Sequence, residues 1–399
     1  MRVLVLDGNQ NQAVASVRSL AKAGHTVLVG DSTSWSKAGW SKFCCGTFRY
    51  PAPQQHSEAF VRRIAELASV EIGTLVMPMT EATTLPISAQ RDALFAVGAR
   101  LVLPSHADLL RAFDKDETTR LAASFGIAVP KTILMTSQEQ ADEVAGSIEY
   151  PVVLKPRASE EFLGEGRVRT TGRPRYAGNK QDFQSAYHDL SRRAAAVLVQ
   201  QYVRGHGAGY FALMRHGELR AEFGHRRIRD VYPTGSGSAV RLSVAPQPEI
   251  RDAALAILKA LNWHGVAMVE FRWQEGNPPV FLEVNGRFWH SLPLACYAGA
   301  DFPAQLAKIA ETGDIESAPK YREGVRCRWL LGDVRHLVEV WRGAPAGYPE
   351  KYPGRLRTLG ALLTPVPGTV HDLFTWEDPL PEFGDWLDFA RRATLSKTA

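Results

Sequence analysis

Cysteine is scarce: Cys44, Cys45, Cys296 and Cys327 are the only four in 399 residues, and no CxxC spacing links them. Adjacent Cys44 and Cys45 are too close to bridge without strain, so the four read as reduced thiols of a cytoplasmic protein. Long apolar runs are missing as well. None approaches the roughly 20 residues that span a bilayer. The opening Met1-Arg2-Val3-Leu4-Val5-Leu6-Asp7 meets an acidic residue too early for a signal peptide, so neither export nor membrane insertion is expected. The histidines form no HxxxH or HExxH spacing, which argues against zinc. No GxSxG appears, and no Ser/His/Asp set stands out. The net charge of +5 is spread along the chain without a basic tail. That distribution suits anionic small molecules better than nucleic acid.

What remains is a chain of ordinary globular composition, long enough for two or three packed lobes. Its first hundred residues alternate strand and helix. Arg2–Asp7 and His25–Gly30 are strands around a helix at 13–23, and the helix 59–68 leads to a strand at 74–77. A short strand at 99–103, closed by Pro104, is expected to complete a parallel sheet. Asp7-Gly8 and Asp31 hint at a dinucleotide fold, but GxGxxG is absent, so this lobe reads as a nucleotide-fold relic rather than an NAD(P) site. From Asp114 the pattern changes. A charged helix 116–125 ends at Gly126, strands follow at 152–155 and 196–199, and 209–285 reads as antiparallel strands around one helix, 251–261. Beyond Ser291 come a helix near 302–311 and a Pro/Trp-rich tail.

The most informative chemistry lies between Gly265 and Arg287. Gly265–Arg272 and Val280–Asn285 are two strands joined by the turn Gln274-Glu275-Gly276-Asn277-Pro278. Side chains alternate along a strand, so Glu283 and Asn285 share a face. Pairing about the turn centre sets Glu270 opposite Glu283, and Phe271 opposite Leu282. Directly opposed like charges destabilise a sheet unless a cation compensates them. Two carboxylates and an amide oxygen form a hard oxygen set suited to Mg²⁺ held partly by phosphates. Arg287, just past the strand, offers a planar fork of donors to a phosphoryl group.

These residues carry a resemblance. Gly265–Phe271 and Phe-Leu-Glu-Val-Asn-Gly-Arg-Phe-Trp-His-Ser at 281–291 resemble the paired metal-binding strands of the ATP-grasp superfamily. The likeness is greatest to its carboxylate–amine ligase and carbamoyl-phosphate-synthase-like branch. The resemblance implies that Glu270 and Glu283 ligate Mg²⁺, that Glu283 bridges two ions and Asn285 completes the second, and that Arg287 stabilises the transferring phosphate. The branch often has Pro where this chain has Gly286, a change expected to alter the bend and not the ligands. Asp114-Lys115-Asp116-Glu117-Thr118 is similar to the family's entry into the fold, where the lysine (here Lys115) reaches nucleotide phosphate. Tyr150–Pro156 is similar to the strand of the second lysine, here Lys155. Glu160–Gly166 stands where the family has a phosphate-covering loop, with Gly164 and Gly166 allowing close backbone approach. Val197–Gly205 is similar to the hinge that holds adenine, which assigns Gln200, Gln201, Tyr202 and Val203 to the base. His206 stands near the position that binds ribose. Between hinge and metal strands, His225, Arg226 and Arg229 are candidates for the acceptor substrate, although the two arginines do not share a strand face.

The expected fold is therefore α/β and α+β and multidomain, with a Rossmann-like pre-ATP-grasp lobe followed by a two-part ATP-grasp fold. Residues 1–112 form the first lobe, 113–300 the ATP-grasp domain (about 130–200 being its mobile lid), and 301–399 a C-terminal segment packing on it. The expected activity is that of an ADP-forming carbon–nitrogen ligase, which activates a small carboxylate as an acyl phosphate for attack by an amine. ATP and Mg²⁺ are the expected cofactors, with two ions and Mn²⁺ allowed. The partners are small-molecule carboxylate and amine substrates, with no nucleic acid, no membrane, and a homodimer allowed. The rival readings are a carboxylase or carbamoyl-phosphate-like activation of bicarbonate, and a non-catalytic nucleotide-binding protein.

Overall fold

Four parallel strands open the chain, in the spatial order Gly46–Arg49, Thr26–Asp31, Arg2–Val5 and Leu75–Met77. They belong to a computed structural model that describes residues 1–162, 168–317 and 320–395, so Gly164 and Gly166 lie outside the described residues. Val3, Leu4, Val5 and Leu6 are fully buried. A central parallel strand has no solvent face, which is why this run is apolar without alternation. Val3 and Val5 pack with the helix Asn11–Lys22, while Leu4 and Leu6 pack with the helix Ser57–Ala68 on the other side. The strand expected at 99–103 is reduced to one bridge, Arg100 to Leu75. The chain then leaves the sheet, because Val102 and Leu103 run against Gly265, where a side chain would meet the Val102 carbonyl at 2.5 Å. The strand-end crevice is filled from within. Asp7 accepts from the Met79 amide at 3.0 Å and from Thr83 at 2.6 Å. Asp31 accepts from the Asn9 amide at 3.1 Å, and a Cβ on Gly8 would overlap Ser36.

The centre of the molecule is a seven-stranded sheet. Its order is Val280–Asn285, Gly265–Trp273, His206–Arg215, Glu218–Tyr232, Ser236–Val244, Arg326–Arg328 and Val370–His371. Strand alternation gives it two faces. Tyr210, Ala212, Ala267, Val269, Phe271 and Phe281 pack against the helix Pro248–Ala260. Phe211, Leu213, Phe223, Val266 and Met268 pack toward the N-terminal sheet. The tail beyond 311 reads from the sequence only as Pro/Trp-rich, with no elements assigned to it. It instead supplies the last two strands of this sheet and the helices Leu330–Arg342, Arg355–Leu363 and Leu380–Leu395.

A smaller antiparallel sheet, Thr132–Met135, Val197–Gln201, Val152–Pro156 and Arg175–Ala177 in that order, carries its own core with the helices Gln138–Ser147 and Lys180–Ser191. The hairpin of Glu160–Phe162 and Val168–Thr170 extends from it. No helix among the described residues is long and apolar enough to cross a membrane.

Candidate active site

The hairpin register places Glu270 directly opposite Glu283, and Asn285 opposite Met268. A bulge follows immediately, so Phe271 faces Phe281 and not Leu282. Counting equal residues from the turn could not foresee that extra residue. The bulge turns Phe271 and Phe281 into the apolar core, where their rings meet edge to face at 5.9 Å. Gly286 follows Asn285 with no room for a side chain, since a Cβ would lie 2.5 Å from the Trp263 ring and 3.1 Å from Phe113. A proline there would collide with both rings. Trp263 thus accounts for the glycine, and the ligand residues before it keep their register.

Two opposed carboxylates need cations, and four gather here. Lys115 begins the helix Lys115–Ser124, whose N-cap Asp114 accepts from the amides of Asp116 and Glu117 at 3.0 and 3.2 Å. Arg157 clamps Asp114 in turn, at 2.5–3.0 Å. The Lys115 ammonium stands 3.6 Å from Glu283 and donates to Ser159 at 3.2 Å. Lys155, buried at the end of its strand, reaches the Leu282 carbonyl at 3.5 Å. Arg287 donates to the Asn285 side-chain oxygen at 3.1 Å and faces Glu81 of the N-terminal lobe at 3.8 Å. Asn285 donates to Glu283 at 3.4 Å.

The fourth cation is Arg227, which forms an ion pair with Glu270. It stands two strands away and crosses the intervening strand His206–Arg215 at Gly207. A Cβ on Gly207 would sit 2.7 Å from the Arg227 guanidinium, so only glycine leaves this path open. Arg226 and Arg229, the arginines anticipated for the substrate, are placed elsewhere. Arg226 is exposed, and Arg229 pairs with the buried Asp333 of the helix Leu330–Arg342. Alternation sends Arg227 to the face of Glu270 and Arg226 away from it, and the register shift between Arg227 and Arg229 takes Arg229 out of that alternation. The signal that could have found Arg227 is Gly207 on the strand between, which leaves room for its guanidinium. His225 shares the Arg227 face but is buried, its ring 4.7 Å from Phe211 and neither nitrogen hydrogen-bonded within the protein.

The electrostatics follow this geometry. Burial raises the Glu270 carboxyl above the ordinary range; Arg227 opposes the rise and Glu283 adds to it. Burial also works against the Glu283 charge, yet Lys115 and Lys155 outweigh it and hold that carboxyl down at about 2. Burial lowers the Lys155 ammonium to about 8, against the pull of Glu283. Glu283 is the firmer anion of the pair.

The strand Val197–Gln201 runs out into the hinge. Gln200 is buried and donates to Thr132 at 2.9 Å, so its side chain is committed inside the small sheet. Gln201 is exposed and Tyr202 and Val203 are half-buried. The His206 ring lies edge-on to Trp273 at 5.5 Å, with burial and then Arg272 lowering its pKa. Burial also raises Glu160 to about 7, and Glu81 adds to the rise.

Does this donor set fit a metal? Among the described residues no three His, Cys, Asp or Glu side chains converge. The fit is therefore two carboxylates and one amide, all hard oxygens, with the remaining positions left to phosphate and water. That is the manner of Mg²⁺ at a nucleotide and not of a closed protein cage.

Comparison with known proteins decides the family. A model described as "ATP-grasp in the biosynthetic pathway with Ter operon" matches residues 194–332, and an ATP-grasp domain model matches 107–206. The chain belongs to the ATP-grasp superfamily. A D-alanine–D-alanine ligase of Nitrosospira multiformis is 29% identical over 216 residues, which is 50% of this chain and 66% of the ligase. The N-terminal section of a carbamoyl phosphate synthase large chain from Methanopyrus kandleri is 30% identical over 276 residues, 65% of this chain and 46% of that protein. The chain thus spans two thirds or less of these two curated relatives. Among solved structures, biotin carboxylase from Campylobacter jejuni aligns with a TM-score of 0.62 at 17% identity, covering 82% of this chain and 74% of that one. L-amino acid ligase from Bacillus licheniformis aligns at 0.58 and 15% identity, covering 79% and 75%. At such identities the structures speak for the ATP-grasp fold, and they bear out the multidomain α/β architecture expected from the sequence.

Proposed function

We propose that this ATP-grasp protein is an ADP-forming carbon–nitrogen ligase, which phosphorylates a small carboxylate with ATP and lets an amine displace the phosphate to form an amide. One observation carries the reading: Lys115, Lys155 and Arg227 act on the opposed pair Glu270 and Glu283, and Arg287 stands beside it on Asn285. That much positive charge around a metal pair exceeds what holding a nucleotide requires, and it matches a phosphoryl group in flight. In this reading Glu270, Glu283 and Asn285 hold magnesium. Two Mg²⁺ ions, with Mn²⁺ able to substitute, would supply neutralisation of the phosphate oxygens when bound.

The chain's own groups do the rest. Lys115 and Lys155 hold the phosphates as point charges from two sides. Gln201, Tyr202 and Val203 edge the base, and His206 takes the ribose. Arg287 presents its fork to the transferring phosphoryl group while Glu81 orients it. Arg227 gives up Glu270 as the site fills and turns to the developing acyl phosphate. The carboxylate oxygen bonds to the γ-phosphorus as the bond to ADP breaks; the amine nitrogen then bonds to the carbonyl carbon, phosphate leaves, and the nitrogen loses a proton. His225, with unpartnered ring nitrogens on the Arg227 face, is assigned to the acceptor side.

The same reading makes residues 1–112 the first lobe, 113–300 the ATP-grasp domain with 130–200 as its lid, and 301–399 a segment completing the body. It also places the protein in the cytoplasm, as a monomer or homodimer acting on small molecules.

The test is ADP release measured against a panel of amino acids and small carboxylates, with mass spectrometry of the products. An amide that forms only with ATP, an acid and an amine together is the expected result. Acceptor-independent hydrolysis, or a carboxylated product, would overturn it.

A further inference from the structure

A wide cleft lies away from the metal strands. It has a volume of about 1070 Å³ and opens between the small subdomain and the C-terminal helices. The strand Arg175–Ala177 and the helix Lys180–Ser191 form one wall, and the helix Leu330–Arg342 with the arm 343–352 forms the other. Five arginines and three carboxylates line it, an excess of two positive charges. Two of the arginines are neutralised, Arg175 by Asp189 at 2.5 Å and Arg342 by Glu339 at 2.7 Å. Among the described residues Arg173, Arg192 and Arg335 make no salt bridge within 4 Å, and Arg192 adds only a lesser pull on Asp189, which Arg175 already pairs.

Two of these three are held by rings. Arg173 lies 4.5 Å over Tyr232, and Arg335 lies 5.9 Å from Trp329 and 5.6 Å from Phe389. An aromatic face fixes the guanidinium plane without cancelling its charge, leaving the N–H fork for an anion. We infer that this cleft is a second ligand site, taking a small molecule with two or more phosphate or carboxylate charges. By bridging Arg173 and Arg192 on one wall to Arg335 on the other, that ligand holds the small subdomain against the body.

The bridge has a foothold. The arm already touches the subdomain edge at one end of the cleft, where a Cβ on Gly347 would lie 2.7 Å from the Tyr176 carbonyl. The Tyr348 ring meets Tyr176 at 5.0 Å and Tyr202 at 6.2 Å. Tyr202 is a hinge residue, so a ligand tightening this wall also bears on the hinge. A cleft of this size exceeds a single inorganic anion and suits a ligand of nucleotide or polycarboxylate dimensions. The clamping role rests on the reading of the small subdomain as a moving lid; the binding itself does not.

Calorimetry on the full chain tests it, with the nucleotide site first saturated by magnesium and a non-hydrolysable ATP analogue. Inorganic tripolyphosphate and citrate, titrated separately, distinguish a phosphate from a carboxylate ligand. One of them is expected to bind with a stoichiometry near one, and the double variant Arg192→Ser/Arg335→Ser should weaken it at least tenfold while analogue affinity stays within twofold. Binding of neither probe, or equal binding to the double variant, would overturn the site. Hydrogen exchange across 173–192 should slow several-fold with the bound probe. Unchanged exchange with a bound probe would overturn the clamp, whatever the ligase assay shows.

Discussion

Along the strand Gly265–Trp273, alternate residues live in different worlds. Ala267, Val269 and Phe271 meet the apolar side of the helix Pro248–Ala260, whereas Val266 and Met268 lead to Glu270 and its opposed partner Glu283. One face is stable because nothing on it is charged. The other carries a repulsive pair of anions and remains folded because four cations from four separate elements surround it. Stability and chemistry are thus divided between the two sides of a single strand, and substitutions should separate them cleanly.

The largest effect is expected on the charged face. Glu283→Ala should lower ADP release by at least about 10²–10³-fold, the scale on which one preorganised electrostatic group contributes to catalysis. Circular dichroism should show the variant folded, since the repulsion relieved at Glu270 offsets part of the pairing that Lys115 and Lys155 lose. Near-normal turnover would sink the metal assignment. On the other face, Phe271→Ala should cost about 3–5 kcal/mol of stability by leaving a cavity, read as a lower urea midpoint with activity kept at low temperature.

Arg229 and Arg227 sharpen the comparison further, being two residues apart on one strand. Arg229→Ala strands the buried carboxylate of Asp333, shared with Arg328, and should cost about 3 kcal/mol while leaving kcat within a few-fold. Arg227→Ala should do the reverse, with a loss of kcat well beyond its loss of stability; equal behaviour of the two variants would refute their assignment to different roles.

The smallest effect concerns pH. Burial, then the stacked ring of His216 at 4.2 Å, pushes His264 down to about 4. Its folded pKa lies below the unfolded value near 6.5, so the unfolded chain takes up the proton first. Stability present above pH 6.5 is lost as pH falls toward 4, by about 1–2 kcal/mol after solvent screening. Thermal melts of His264→Phe should lack that part of the acid slope.

Much of the charged face was legible in the sequence because its logic is local. Facing carboxylates, a turn between them, and a period of two are enough to pair Glu270 with Glu283. What the sequence withheld was non-local or off-period. The bulge after Glu270 inserts a residue that no composition marks, and it exchanges Leu282 for Phe281 opposite Phe271. Choosing Arg227 over Arg226 needs the register of a strand against its neighbour, where one residue of slip reverses every side chain, and choosing it over Arg229 needs the irregularity that lies between the two. The helix Leu330–Arg342 was hidden among prolines and tryptophans, although Leu331 and Val334 already suggest its period. Gly286 looked like a tolerated departure until Trp263, distant from the turn, was seen to fill its space.

The joining of the last strands to the central sheet bears on how this chain is made. Asn11, in the first helix, donates to Asp372 across 361 residues of sequence, and Asp372 also pairs with the fully buried Arg241. Asn11 and Arg241 emerge early from a ribosome and must wait, with an arginine and a sheet edge unprotected, until residues 370–372 follow. Such long-range closure slows folding and exposes partly finished species to aggregation. A chain stalled before those residues leaves the sheet unfinished on the side away from the metal hairpin.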